Sequence, residues 1–338
     1  MSASRLTICS VSFRSGHFLD LNWKFTAALN PPPMPAWLVV DNTPPGPRSS
    51  GDSPSSPFTI LPGVPPPSGL PEKVLGSYHH AAALQTVLAH VTTRYLLILD
   101  PDFYIVRPGW VQRVVEHMEA QELAFFGVPW HPRWFVKYRG FPCVHCLFID
   151  TEQVKIGALD FTPDDLAPGR TRAAWKTLAR KTPKMLWPTY LAARKIFLAL
   201  TQAGRWQIGQ TADTGTRVFR RFGADEKAHA EIATPVFDES REAHAPPHAR
   251  TAFARRLERL LPPRFRYFPE PGACTARRFA DRGFPDARAL GCEEFVWQDE
   301  PFGFHYRQTA QAATPEADRK AAVENLTAAF LAAAPLPR

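Results

Sequence analysis

The stretch Tyr95-Leu96-Leu97-Ile98-Leu99-Asp100-Pro101-Asp102-Phe103-Tyr104-Ile105 decides the fold. From Tyr95 to Leu99 the residues are continuously apolar or aromatic, the pattern of a strand buried on both faces of a sheet, and the run stops at two acids one residue apart. The carboxylates therefore stand at the strand's carboxyl end, the edge at which open α/β sheets bind ligands. Pro101 fixes its own φ and biases Asp100 towards extended backbone, so the pair is held in place. Two close carboxylates repel. A divalent cation removes the conflict, and Mg²⁺ or Mn²⁺ takes oxygen ligands from one or two carboxylates and from phosphate. The alternative is a capped turn at a strand end.

Working outward, Leu6 to Phe13 reads as a first strand, and Arg14-Ser15-Gly16-His17 breaks it. Phe18, Leu21, Phe25 and Ala28 recur at helical spacing up to Asn30 and three prolines, and Trp37 to Val40 form a second strand ending in Asp41-Asn42. Strand, helix, strand argues for a right-handed βαβ unit and a parallel sheet. From Thr43 to Pro71, Pro, Ser and Gly dominate, interrupted by Phe58 to Leu61 as an edge strand. Ser77 is placed to cap a helix carrying Leu84, Val87, Leu88 and Val91. Beyond the acids, Val111, Val114, Val115 and Met118 mark a helix, and Leu123 to Val128 a further strand.

The chain of 338 residues is 45% hydrophobic, enough for one large domain or two small ones, and its 35 prolines cluster, which predicts long loops around an ordered centre. A net charge of +8 predicts acidic partners, among them nucleotide diphosphate, anionic lipid and nucleic acid. Five cysteines without a recognisable signal peptide predict a reduced, cytoplasmic setting, and no stretch approaches the roughly 18 apolar residues of a membrane span.

Leu99-Asp100-Pro101-Asp102, after an apolar strand and a helix with Ser77-Tyr78-His79-His80 at its start, resembles the Asp-x-Asp signature of GT-A fold glycosyltransferases, especially the large inverting family 2. The resemblance implies a Rossmann-like α/β fold: a mixed, mostly parallel sheet flanked by helices, with helical inserts. It implies a nucleotide-sugar donor whose diphosphate is bridged by Mn²⁺ or Mg²⁺ on Asp100 and Asp102. It carries base contacts onto Ser12 and Asp41, although an Asp-Asn pair also favours turns in its own right. Near the sugar diphosphate the family commonly has an asparagine, where His79-His80 and Gln85 stand here. A His pair at a helix start would donate to phosphate or simply face solvent.

Pro129 to Gly140 is dense in aromatics and cations, suited to a sugar-like ligand or to plugging a core. Cys143-Val144-His145-Cys146 has metal-like spacing, yet it reads as the beginning of a strand running to Asp150, whose alternation would send the two thiols to opposite faces and disfavour zinc. No acid occurs between Asp165 and Asp213, and cations interleave with large apolar residues over 170–198. This segment is either a peripheral contact with an anionic membrane face, suiting a lipid-linked acceptor, or a helical insert packed on the sheet. Gly209 to Phe222 resembles the helix after the family's acidic base motif, with Ala212 where those enzymes often have Glu. Asp213 is thus the candidate base, and equally a helix N-cap.

Residues 234–250 read as a loop and 251–261 as a basic amphipathic helix. His305 resembles the late histidine that returns to the metal or diphosphate in many GT-A enzymes, and Arg307 the cation that neutralises the leaving nucleotide. A helix with Val323, Leu326 and Phe330 on one side closes the chain. The expected organisation is a nucleotide-sugar half (1–155), an acceptor half (156–310) with a basic helical insert at 166–205, and a C-terminal helix (311–338). The expected reaction is inverting sugar transfer to a hydroxyl of a glycan, a lipid-linked molecule or a small molecule, with no nucleic acid partner. Two rivals are a phosphatase of the haloacid dehalogenase type and a non-catalytic basic protein docking membrane or nucleic acid. The first usually has Thr or Val where Tyr104 stands, and no companion lysine motif is evident.

Overall fold

A computed structural model describes residues 4–44, 54, 57–70, 72–133, 140–163, 213–223, 229–238, 273–307 and 315–333. The basic stretch 170–198, the aromatic positions 134–139 and the amphipathic segment 251–261 lie outside the described residues. Tyr95–Leu99 forms β4, buried along its whole length, at the middle of a seven-stranded sheet. On one side lie β1 (Leu6–Ser12), β2 (Ala36–Asp41) and β3 (Thr59–Pro62), all parallel to β4, with β3 at the edge. On the other side lie β7 (Cys146–Asp150), β6 (Phe125–Gly127) and β8 (Ala230–Ile232). Only β7 runs against its neighbours. The chain is therefore a mixed α/β protein with a mostly parallel central sheet flanked by helices.

Helix α1 (Gly16–Leu29) connects β1 to β2, as the βαβ reading predicts, and buries Phe18 and Phe25. Leu29 rather than Ala28 completes the apolar face. Helix α2 (Glu72–Leu88) begins five residues ahead of Ser77, so Ser77, His79 and His80 lie inside the helix rather than at its start. Ser77, as a capping residue, places the helix start there, but Gly76 and the four residues ahead of it are helical too. The helix formers ahead of it, together with burial of Leu84, Val87 and Leu88 against the sheet, outweigh the roughly 1 kcal/mol cost of one glycine. Helix α3 (Trp110–Ala120) follows the expected spacing, with Trp110 added to its buried face. Residues 143–146 form a turn, the Cys146 amide donating to the Cys143 carbonyl at 3.3 Å, so the strand starts at Cys146 and the alternation expected for Cys143 and His145 does not apply.

A second, antiparallel sheet has the order β5 (Phe103–Ile105), β11 (Glu300–His305), β10 (Glu293–Trp297), β9 (Thr234–Pro235). Gln298 and Asp299 join β10 to β11, both at positive φ (51° and 58°), the turn handedness that matches strand twist. Arg107 fastens this hairpin. Its guanidinium lies 4.6 Å from the Trp297 ring centroid, donates to the Trp297 carbonyl at 3.0 Å and pairs with Glu300 at 2.7 Å. At Gly303 a side-chain carbon would come within 2.8 Å of the Phe103 ring, so β11 approaches β5 only because that position has none. A short helix, α4 (Thr216–Phe222), packs Val218 and Phe219 into the main core. The last helix, α5 (Glu316–Ala333), buries Val323, Leu326 and Phe330, the last stacked on Phe304 with centroids 5.4 Å apart.

In the second core Glu294 is buried, and one carboxylate oxygen accepts from the Phe279 amide at 2.9 Å. Burial pushes its carboxyl up to about 7 from an ordinary 4.5. The folded state therefore holds a proton that the unfolded chain has lost, and stability falls as pH rises through this window. Glu294→Gln removes the titration. The variant should be more stable than the parent at about pH 8, by on the order of 2 kcal/mol, with the difference vanishing near about pH 4, as read by urea denaturation at each pH.

Candidate functional site

The two sheets meet at the acid pair. After β4 the chain turns through Asp100-Pro101-Asp102, with the Phe103 amide donating to the Asp100 carbonyl at 3.1 Å, and enters β5 in the other sheet. Neighbouring segments are tied to the same turn. The Asp100 amide donates to the His145 carbonyl at 3.0 Å, and the Tyr306 amide donates to the Asp102 carbonyl at 3.0 Å. Because β7 runs against β4, the residue just ahead of β7 reaches the carboxyl end of β4, and that residue is His145. In the second sheet His305 stands opposite both Phe103 and Glu293.

The side chains form a buried, alternating network. His145 Nδ1 lies 2.6 Å from Asp100 and His145 Nε2 lies 3.0 Å from an Arg307 Nη2. Arginine only donates, so Nε2 accepts and the Nδ1 proton is given to Asp100. Burial, with His305 and Arg307 close by, holds His145 well below its usual range and so neutral. Burial opposes charge on His305 as well. Asp102 at 3.2 Å and Glu293 at 3.4 Å outweigh it and hold the imidazole up to about 9. Glu293 is kept well below the carboxylate range because Arg307 at 2.7 Å and His305 offset the cost of its burial. Asp100 is pushed up by burial, partly countered by His80 at 4.0 Å and by His305. Trp130 covers the group, 4.3 Å from the His145 ring and 5.1 Å from the Arg307 guanidinium carbon.

Among the described residues three carboxylates, Asp100, Asp102 and Glu293, thus face Arg307 and the charged His305, and one negative charge is left over. The surplus of negative charge is what a divalent ion neutralises, and donor atoms of Asp100, His145 and His305 lie within 4.8 Å of one another. The residues fit such an ion. Asp102 bonds to His305 beside this trio.

A cleft of about 1110 Å³ opens along the carboxyl ends of the parallel strands. Its walls include Phe13 after β1, Asp41 and Asn42 at the end of β2, Gly63 and Val64 after β3, and Asp100 and Asp102 after β4. The chain passes from β1 outward to β2 and β3 and returns to the other side of β1 at β4, so the cleft lies at a reversal of strand order, where open α/β sheets bind ligands. Both sequence-assigned histidines of α2 line it. His79 is committed to the Val64 carbonyl at 2.7 Å, whereas His80 faces Asp100. Ser12 pairs in register with Asp41 but is fully buried, and its hydroxyl has no hydrogen-bond partner among the described residues. Gln85 donates to the Leu159 carbonyl at 3.0 Å. Asp213 precedes α4 by three residues. Gly215 takes the N-cap position, while the Asp213 carboxylate accepts from the Thr214 amide at 3.0 Å and from the Ser77 hydroxyl at 3.5 Å. It is near enough to His145 to act on that ring's charge.

His145, Glu293 and Trp130 are members that the sequence reading did not assign to the site. The signal for His145 was its position at the turn entering a strand. For Glu293 it was a pair of glutamates opening a strand whose remaining three residues are Phe295, Val296 and Trp297.

No protein-family model matches the chain, and no curated protein matches it. Among solved structures it is similar to the mannosyltransferase PcManGT from Pyrobaculum calidifontis in complex with GDP-Man and Mn²⁺, at 13% identity and a TM-score of 0.32 over 46% of this chain and 47% of that one. It is also similar to residues 1–349 of S. aureus TarS (11% identity, TM-score 0.31, 46% and 50% covered). A third is galactosyltransferase LgtC in complex with donor and acceptor sugar analogs (12%, 0.31, 45% and 62%). The match spans about half the length of the first two proteins. Likeness of this size fixes neither function nor site.

Arg307 is the only permanent cation touching Glu293 among the described contacts, and Glu293 is almost wholly buried. Arg307→Ala should lower stability by about 2 kcal/mol, measured by denaturant unfolding, because it removes a charge-assisted hydrogen bond to the buried Glu293 carboxylate, which keeps His305 as a charged partner.

Proposed function

We propose that the chain is a glycosyltransferase of GT-A type that moves a sugar from a nucleotide diphosphate sugar to a hydroxyl acceptor with inversion. One observation carries the reading: an acid pair closes the central strand and lines a cleft at the point where strand order reverses, with Asp41 at the end of the neighbouring parallel strand. A cleft of this size suits a nucleotide sugar, and the surplus of carboxylates at its floor suits a divalent cation carrying a diphosphate.

In this reading Asp41 faces the nucleoside, and Ser12 fixes the backbone beside it. Asp100, Asp102 and His305 hold Mn²⁺ or Mg²⁺. The cation, when bound, offsets the charge that develops on the departing diphosphate. His80 reaches towards the same phosphates, with His79 orienting the loop after β3, and Arg307 adds a positive charge on the leaving side. Asp213 takes the proton of the acceptor hydroxyl as its oxygen attacks the anomeric carbon, and the bond to the nucleoside diphosphate breaks on the opposite face, the leaving oxygen keeping the electron pair. The nucleotide-sugar half is 1–155 and the acceptor half 156–310, with 311–338 a closing helix. Among the described residues no helix is long and apolar enough to cross a membrane. A cytoplasmic enzyme meeting the membrane face through 170–198 would reach a lipid-linked acceptor.

Asp102→Asn should abolish Mn²⁺-dependent hydrolysis or transfer across a nucleotide-sugar panel without unfolding the chain, and full turnover by that variant would end the metal assignment. Asp213→Asn should lower the transfer rate by about 10²–10⁴-fold while donor affinity, read by calorimetry, stays unchanged.

A further inference from the structure

We infer that His145 is a ligand of the divalent ion, and that the resulting pair of imidazoles makes the site take a first-row transition ion ahead of Mg²⁺. The inference rests on the proposed metal-dependent function and adds to it a residue and a metal class. Three observations carry it. His145 and His305 stand side by side with their rings tilted 45° and centroids 4.4 Å apart, and each has a nitrogen within 4.8 Å of an Asp100 oxygen and of a nitrogen of the other ring. Both rings are buried, so neither is a surface histidine that would find a metal by chance. The second acid of the pair, Asp102, lies against His305 beside the trio, so a site holding both acids and both imidazoles has as many nitrogen donors as carboxylates.

Donor chemistry then decides the metal. Mg²⁺ prefers an all-oxygen octahedron, whereas imidazole raises affinity along the series from Mn²⁺ through Co²⁺ towards Zn²⁺. For His145 to ligate through Nδ1, the proton now given to Asp100 must move to Nε2, and the bond that Nε2 accepts from Arg307 Nη2 is then given up. Arg307, which contacts His145 through Nη2, keeps a 2.7 Å bond to Glu293 through Nε and so does not lose its partner when the ring changes role. Trp130, packed edge to face on His145, limits how far the ring can swing.

The test uses the full chain stripped by a chelator and titrated calorimetrically with Co²⁺, Mn²⁺ and Mg²⁺ alone. Co²⁺ should bind more than about tenfold tighter than Mg²⁺, and His145→Gln should weaken Co²⁺ at least about tenfold while moving Mg²⁺ much less. Pulsed EPR of the unaltered, Mn²⁺-loaded chain reads bound imidazole nitrogen directly and does not depend on the variant folding. Two coupled imidazoles support the inference, and one overturns it. Equal affinity for Co²⁺ and Mg²⁺, or His145→Gln with parental Co²⁺ affinity, also overturns it. Binding of a nucleotide-sugar panel, measured in the same series, reports separately on the proposed function, which survives if donors bind and the metal preference does not appear.

Discussion

Three carboxylates at one seam, Glu293 buried and Asp100 and Asp102 half-buried, set the terms for everything around them. Asp100 and Asp102 come from the turn between the sheets and Glu293 from the second sheet, and each sits where water cannot screen it fully. Packed without cations, such a group would cost several kcal/mol per charge. The fold supplies Arg307 and a protonated His305, and keeps His145 neutral between an acid and a guanidinium. The elements that matter most are therefore those that deliver positive charge to the end of β4: the hairpin of β10 and β11, and the turn ahead of β7.

The hairpin in turn depends on contacts far from the cleft. Arg107 binds its tip through the Trp297 ring and carbonyl and through Glu300, and the missing side chain at Gly303 lets β11 lie close against β5. These contacts fix the register in which Glu293 faces His305. A change at either place would alter the charge balance of the site without touching a residue in it.

Much of the first half was legible because its signals are local. A continuous apolar run ending in acids is a central strand, and alternating strand and helix patterns along 6–41 give the parallel order. The second sheet was not legible, for physical reasons. Its hairpin turns on Gln298-Asp299 with no glycine or asparagine to announce positive φ, and β5 is three residues long and follows the acid pair directly. His145 was misread because a strand alternation was extended into a turn. The start of α2 was misplaced because Ser77 has the chemistry of a cap, yet it lies inside the helix that begins at Glu72. Asp213 was expected to open a helix, yet Gly215, two residues later, takes that place at positive φ (85°). Its electrostatic reach to His145 depends on folding and is invisible in a linear reading.

One feature of the turn at Asp100 bears on movement. The same three residues end a strand of one sheet and begin a strand of the other, and their backbone is bonded on one flank to His145 and on the other to Tyr306. The two sheets are accordingly welded at the place where a ligand would sit. Any gating of the cleft then falls to its outer walls, because the backbone of its floor belongs to both sheets at once.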